Sequence, residues 1–386
     1  GFIDRIGATE HVFMQARLDV PVLAPDGSRA SIKRTALPAP LHLLGSLARY
    51  RHLSVRERML LARPALALRR LDPDDAGLDN LSFGDWLADH GQTERAIDRL
   101  WNLIALPTLN VPAGQASLKL ATKVFRVGLL DRSDSGDIGW SKVPLAELHG
   151  ASSARALRAA GVEVMLGAPV GSIDRSPSGS FALSTGGTSL VVDAVVVATP
   201  PRVSAALGAF AGIDEAERLG SSPIVNVHLV LDRRVTDLPL AACIGSPIQF
   251  LFDRTISSGV EAGQCLAISL SAADSYVGRG STDLVNLFLE ALRELLPAAR
   301  DARLVDSVVT RERSATFRAV PGVGALRPPT RTSVPGLFLA GAWCDTGWPA
   351  TMEGAVRSGH QAASQAVAHL SGTCVEDPRQ LEGART

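Results

Sequence analysis

The stretch from Val334 to Ala363, V-P-G-L-F-L-A-G-A-W-C-D-T-G-W-P-A-T-M-E-G-A-V-R-S-G-H-Q-A-A, restricts the fold more than any other part of the chain. Leu337 to Ala340 is an apolar run closed by Gly341, which suits a buried parallel strand ending where the backbone must approach something closely. After a loop bearing Gly347 and Pro349, Thr351 opens a helix in which Met352, Ala355, Val356, Gly359, Ala363, Ala366, Val367 and Leu370 recur at helical steps. Gly354, Ser358, Gly359 and Ala362 keep that helix small-sided, so it can lie flat against a partner. The free N–H groups at Thr351, Met352 and Glu353 favour negative charge at its start. Strand, loop and helix in this order predict an α/β sheet.

The rest of the chain must supply a large scaffold. At 46% hydrophobic content, 386 residues can bury a core divided over two or three domains. Basic and acidic residues balance at 39 each, so no global field recruits nucleic acid and any electrostatic role falls to local patches. Cys243, Cys265, Cys344 and Cys374 form no C-x-x-C pair and read as reduced thiols of a cytoplasmic protein. His149, His228 and His360 have no ligand spacing, and no metal is expected. No apolar run approaches the roughly 20 residues that cross a bilayer, and no leader layout opens the chain. Gly1 stands in place of Met inside a helix-like segment, from which an N-terminal truncation is expected.

Taken in order, residues 12–35 alternate around Pro25-Asp26-Gly27 as a hairpin does. From Pro38 to Leu71 a leucine-rich helical region carries seven arginines and one acid, Glu57. That pattern suits amphipathic helices with solvated arginine faces; an anionic membrane surface gains as a reading only if the substrate is a lipid. Ser82 caps a further helix, and helix continues to about Leu130. Within it Trp101, Asn102, Leu109 and Asn110 belong to a segment broken by Pro107 and Pro112, where buried amides need partners; the segment either lines a cavity or packs as a kink. An α/β region follows, with a helix from Leu145 to Ala160, strands at Val162–Leu166, after Val170 and on both sides of Thr185-Gly186-Gly187, and a fully buried central strand at Ala194–Ala198. Residues 204–320 return to antiparallel patterns with one helix, Asp283 to Leu296, and the tail after Ser371 lacks periodicity and is expected to be disordered.

These motifs resemble the phytoene desaturase and amine oxidase superfamily of flavoenzymes. The Val334–Ala363 segment is similar to its C-terminal flavin-binding element, and Val195-Val196-Val197-Ala198-Thr199-Pro200 to a second element beside the cofactor. The resemblance implies FAD bound through Val170, Ala198, Gly341, Ala342, Thr351, Met352, Glu353, Gly354 and Ala355, with the helix N-terminus at the flavin ring. Within the superfamily, Asp345-Thr346-Gly347-Trp348-Pro349-Ala350-Thr351, Trp101 through Pro112, Arg313 to Phe317 and Arg327-Pro328 look most like the hydroxysqualene dehydroxylase branch of hopanoid biosynthesis. Asn102, Val111, Cys344 and Ala342 depart from its pattern; at Ala342 the family usually has an Asp on the ribityl chain.

The superfamily also opens with a βαβ unit carrying G-x-G-x-x-G, which occurs nowhere in this sequence. The expected architecture is therefore mixed α/β and α+β. A Rossmann-like FAD-binding domain lacking its N-terminal part (143–203 and 331–370) interleaves with a substrate domain of hairpin and helices (12–142) and antiparallel sheet (204–330), before a disordered tail (371–386). The function implied is reductive dehydroxylation of an apolar isoprenoid, hydroxysqualene, with Asp345 as the nearest acid and Trp348 as the nearest aromatic. Carotene desaturation or amine oxidation on the same scaffold, and a non-catalytic remnant or lipid-binding module, stand as alternatives; Tyr50 and Tyr276, the chain's two tyrosines, make an amine cage poor. The expected site is cytoplasmic, peripheral on the inner face of the membrane.

Overall fold

The structure is a computed structural model and describes residues 1–208 and 216–372. In chain order, strands β1 (Asp19–Leu23) and β2 (Arg29–Lys33) form the expected hairpin, its turn closed by Gly27 N–H to the Ala24 carbonyl. Helices α1 (Leu44–Ala48), α2 (Val55–Leu60), α3 (Ala62–Leu68), α4 (Asn102–Leu109) and α5 (Leu118–Phe125) follow. Next come the antiparallel meander β3 (Val170–Arg175), β4 (Phe181–Thr185), β5 (Thr188–Val192) and the short β6 (Val195–Val197). The chain then supplies β7 (Ser222–Leu231), β8 (Leu240–Cys243), β9 (Phe250–Asp253), β10 (Gln264–Leu270), α6 (Ser281–Leu295) and β11 (Leu304–Thr316). It closes with β12 (Leu337–Leu339) and α7 (Met352–Ser371).

Two compact units result: Gly1–Val164 with Ser221–Ala315, and Met165–Gly220 with Thr316–Thr386. The first is built on a seven-stranded sheet in the order β11-β7-β10-β9-β8-β1-β2. Because side chains alternate along a strand, each strand divides its residues between two faces. Val225, Val227, Leu229 and Leu231 of β7 and Leu266, Ile268 and Leu270 of β10 pack with Leu284, Phe288 and Leu292 of α6 in one buried core. α6 carries these at helical steps, as its sequence predicts. The opposite face of the sheet is left for the helices α1 to α5. Residues 143–164 also lie with this unit: Leu148 and Ala156 of the helical stretch join Ile6 and Ala8 in a small cluster.

The second unit holds the β3-β4-β5 meander and a parallel pair, β6 beside β12, in register Val197 to Leu339. α7 packs on that pair through Ala362 and Ala366 against Phe338 and Ala340.

Two expectations need correction. Val162–Leu166 is not a strand: no ladder partner reaches it among the described residues, and Leu166 is 90% exposed. The Ala194–Ala198 strand is not fully buried, because β6 has one described neighbour and leaves Val196 exposed. The expected disordered tail lies outside the described residues beyond Gly372. Among those described, no helix is long and apolar enough to cross a membrane.

Candidate functional site

Between the free sheet face and the helices of the first unit lies a cavity of about 590 Å³. Ile224, Leu240, Phe250 and Phe252 come from the sheet, and Leu47, Leu61, Ile104 and Phe125 from the helical side. The volume falls in the ~300–1,000 Å³ range of small-molecule sites. Among the described residues, no Asp, Glu, Lys, Arg or His lines it. A charged ligand there would lose its hydration without a partner, whereas a hydrocarbon would gain about 25 cal/mol per Å² of surface removed from water.

Of the four residues expected at a substrate, Trp101 lines this cavity. Its indole N–H donates to Gln92 Oε1 at 3.0 Å and its ring meets Phe83 and Phe125 at 5.9 and 5.1 Å between centroids, so its orientation is fixed. Asn102, Leu109 and Asn110 are not among the lining residues. Asn102 Oδ1 accepts the Ala113 N–H at 2.8 Å, and Leu109 is buried. Asn110 ends α4 in the left-handed region at φ 54°, donates from Nδ2 to the Ser222 carbonyl at 3.0 Å, and accepts the Ala272 N–H at 2.6 Å. The kinked segment itself does face the cavity, through Ile104, Pro107 and Thr108.

One edge of the cavity is a loop carrying Ser135, Gly136 and Ile138. Asp137 anchors it, accepting the Leu18 N–H at 2.7 Å and a forked pair of bonds from Arg34. The Arg34 guanidinium holds this carboxyl below its ordinary range, against the opposing effect of burial. No local pattern announces this latch, since Arg34 and Asp137 are 103 residues apart.

In the second unit the structure gathers most of the residues assigned to flavin. Gly341 follows β12, Ala198 follows β6, and the strands run side by side, with Ala340 N–H donating to the Val197 carbonyl at 2.9 Å. Gly341 N–H donates to Ser358 Oγ at 2.8 Å, tying the turn to α7. Thr351 caps α7 by accepting the Gly354 N–H at 3.3 Å, while Ala355 N–H bonds the Thr351 carbonyl. The N–H groups of Met352 and Glu353 are left at the first turn, where both residues are exposed. A Cβ on Gly354 would stand 2.9 Å from the Pro349 carbonyl oxygen, so the loop approaches α7 as only glycine permits. Thr346 Oγ1 in that loop is buried with no hydrogen-bond partner among the described residues. Exposed N–H donors, a glycine-only approach and an orphaned hydroxyl fit a polar, electron-rich ring edge. Val170 begins β3, in a different sheet. Asp345 Oδ1 accepts the Gly347 N–H at 3.3 Å, and the Trp348 ring lies 4.9 Å beneath the Arg357 guanidinium.

Two residues that shape this loop escaped the sequence reading of roles. Arg327, buried, donates to the carbonyls of Ala342, Trp343 and Cys344 in succession, satisfying a stretch with no ladder of its own. Trp343 donates its indole N–H to the Thr199 carbonyl at 3.1 Å and packs against Gly341. An arginine beside Pro328 in apolar surroundings was the available signal. Burial pushes the Cys344 thiol up to about 12, so it is no nucleophile. Tyr50 is spent on the Arg99 carbonyl and Tyr276 packs on Phe288, so neither lines the cavity.

Over residues 2–367 the chain matches the family described as Flavin containing amine oxidoreductase. The hydroxysqualene dehydroxylase of Sinorhizobium fredii is 29% identical over 299 residues, covering 77% of this chain and 67% of the relative. That of Rhodopseudomonas palustris is 31% identical over 275 residues, covering 70% and 62%. A probable zeta-carotene desaturase of Synechococcus elongatus is 24% identical over 320 residues, covering 74% and 66%. The matches to the last two thus span slightly less than two thirds of each relative. Among solved structures, an oxidoreductase from Methanosarcina mazei aligns at TM-score 0.69 and 14% identity over 94% of this chain and 84% of that one. Wild-type putrescine oxidase bound to putrescine aligns at 0.66 and 16% over 95% and 84%. Identities this low show a shared fold.

Proposed function

Since the chain belongs to the flavin-containing amine oxidoreductase family and is an FAD-dependent oxidoreductase, we propose that its reaction is the reductive removal of the hydroxyl group of hydroxysqualene, giving squalene. The observation that carries this is the cavity of about 590 Å³, lined by no charged side chain among the described residues, which suits a long hydrocarbon and leaves a protonated amine unpaired. The α7 start from Thr351 to Ala355, the Gly341–Ala342 turn and the end of β6 at Ala198 would hold the flavin ring, and the Val170 backbone would hold the adenine. Reduced FAD held there would supply hydride, and the substrate's hydroxyl would leave with a proton as water. Asp345, whose Oδ1 accepts the Gly347 N–H, would be the group that delivers that proton. Trp348 walls the site with its ring, stiffened by Arg357. The lining of the cavity excludes water from the substrate chain.

An anionic bilayer is the partner that fits the first unit. Val55, Met59, Ala62 and Leu66 follow one another at helical steps along α2 and α3, and all four are exposed. Glu57, Leu61, Pro64 and Leu68, two positions on, are buried. Arg56, Arg63 and Arg70 border the exposed stripe on one side and Arg58 and Arg69 on the other, and none is salt-bridged among the described residues. Apolar stripe and basic borders are the pattern of helices that lie in a membrane interface.

The test is anaerobic incubation of the protein, loaded with FAD and chemically reduced, with hydroxysqualene. Squalene is the expected product. Its absence, with loss of hydrogen from squalene or phytoene on the oxidised protein, would instead assign desaturation, which the carotene desaturase relative favours.

A further inference from the structure

The cavity is apolar except at a few hydroxyls and one indole, and most of these are already spent. Thr108 Oγ1 donates back to the Ile104 carbonyl, Trp101 to Gln92, and Ser135 is exposed on the edge loop. Ser269 and Ser271 remain. Both residues line the cavity, and neither hydroxyl has a protein partner among the described residues. Ser269 lies on the sheet face opposite Ile268 and Leu270, and Ser271 follows the end of β10 two positions on.

Unusual structure is invested in placing Ser271. Gln249 grips its backbone from both sides, donating from Nε2 to the Ser271 carbonyl at 3.0 Å and accepting the Ser271 N–H on Oε1 at 2.8 Å. The next residue, Ala272, sits in the left-handed region at φ 47°, its N–H held by Asn110 Oδ1. Asn110 is itself left-handed, and its carbonyl accepts the Ser222 hydroxyl at 2.6 Å. Both conformations are unfavourable for residues with a Cβ, and such strain collects where geometry serves function. A hydroxyl carried into an apolar cavity loses its water and gains by meeting a placed partner.

Resting on the hydroxysqualene reading, we infer that Ser271, with Ser269 beside it, is the contact that recognises the substrate's single oxygen, and that Gln249 and Asn110 are its positioning residues. Ser271 bonds the hydroxyl before reaction and loses its partner once the oxygen leaves. The hydrocarbon product therefore binds more weakly than the alcohol.

The experiment measures equilibrium binding of hydroxysqualene and of squalene to the full chain in detergent, by tryptophan fluorescence. The unaltered protein is expected to prefer the alcohol by about tenfold, the worth of one placed hydrogen bond. Ser271→Ala should bring hydroxysqualene affinity down to that of squalene and leave squalene binding unchanged, and Ser271→Thr should restore the preference. Asn110→Gly, which tolerates the left-handed φ, should reduce the preference in protein that still melts cooperatively. Equal binding of the two lipids by the unaltered protein, or an undiminished preference in the Ser269→Ala/Ser271→Ala double variant, overturns the inference while the cavity reading stands. Binding of neither lipid overturns both.

Discussion

Asn110 and Ala272, 162 positions apart in sequence, are the non-glycine residues with positive φ among those described, and they are hydrogen-bonded to each other at 2.6 Å. The bond runs from a backbone N–H to a side-chain amide, so it is independent of the Ala272 side chain, whereas the strain comes from the Ala272 Cβ. Ala272→Gly removes the steric cost and keeps the bond. It is expected to stabilise the protein by about 0.5–1 kcal/mol. Asn110→Ala, which leaves Ala272 N–H and the Ser222 carbonyl unpaired, is expected to destabilise it by about 2–4 kcal/mol. Urea titrations of both variants check the opposite signs.

Glu57 gives the helical region an acid-sensitive joint. Thr93 Oγ1 donates to its Oε1 at 2.6 Å and the Ser54 N–H to its Oε2 at 2.8 Å, and these bonds hold its carboxyl at about 2, below the ordinary 4.5. A depressed folded value means stability that is complete above 4.5 and lost as pH falls toward 2. The contribution is on the order of 3 kcal/mol. Glu57→Gln should flatten that part of the stability profile, read by denaturant unfolding at several pH values; an unchanged slope would remove Glu57 from the account.

The membrane docking proposed for α2 and α3 would have two separable parts. Arg56→Ser with Arg63→Ser and Arg70→Ser should cost about 1 kcal/mol of binding per charge and lower the salt sensitivity. Met59→Asp should abolish binding at any salt, because the apolar stripe would no longer insert. Flotation with vesicles of anionic and of neutral lipid distinguishes them. Equal recovery of all three proteins on anionic vesicles would rule the surface out.

Gly354 supports the proposed flavin contact. Gly354→Val puts side-chain atoms where the Pro349 carbonyl lies, 2.9 Å from a Cβ, so the loop must leave the start of α7. Flavin per protein, read from visible absorbance, should fall several-fold, with a stability loss of about 1–3 kcal/mol. Thr351→Ala should cost about 1 kcal/mol through the lost cap and retain more flavin. Flavin content unchanged in Gly354→Val would make α7 a structural helix only.

Much of the fold was legible because it is local. Thr351 caps α7, Ser82 caps its own helix, and Asp26-Gly27 turns the hairpin, all through contacts within a few residues. Val162–Leu166 misled because an apolar run becomes a strand only beside another strand, and that condition is not written in the run itself. Trp101 announced a wall by size and company. Asn110 announced a need for partners but not that Ser222 and Ala272 would meet it, and Ser269 and Ser271 carry no pattern apart from the ladder that points them inward. Arg327 beside Pro328 stood out, but its partners did not: its three carbonyls come from a loop 15 to 17 residues on.

The ladder of β7, β9 and β10 has a consequence for how such chains diverge. Leu266, Ile268 and Leu270 answer to α6, whereas Ser269, Phe250 and Phe252 answer to whatever fills the cavity. Inheritance is thereby sorted by parity. Substitution at a cavity-facing position changes the ligand and spares the core, while a single inserted residue inverts every later side chain and ruins both at once. Lineages built on this ladder are free to exchange substrates by replacement but not by insertion, and variation among them should collect at every second residue.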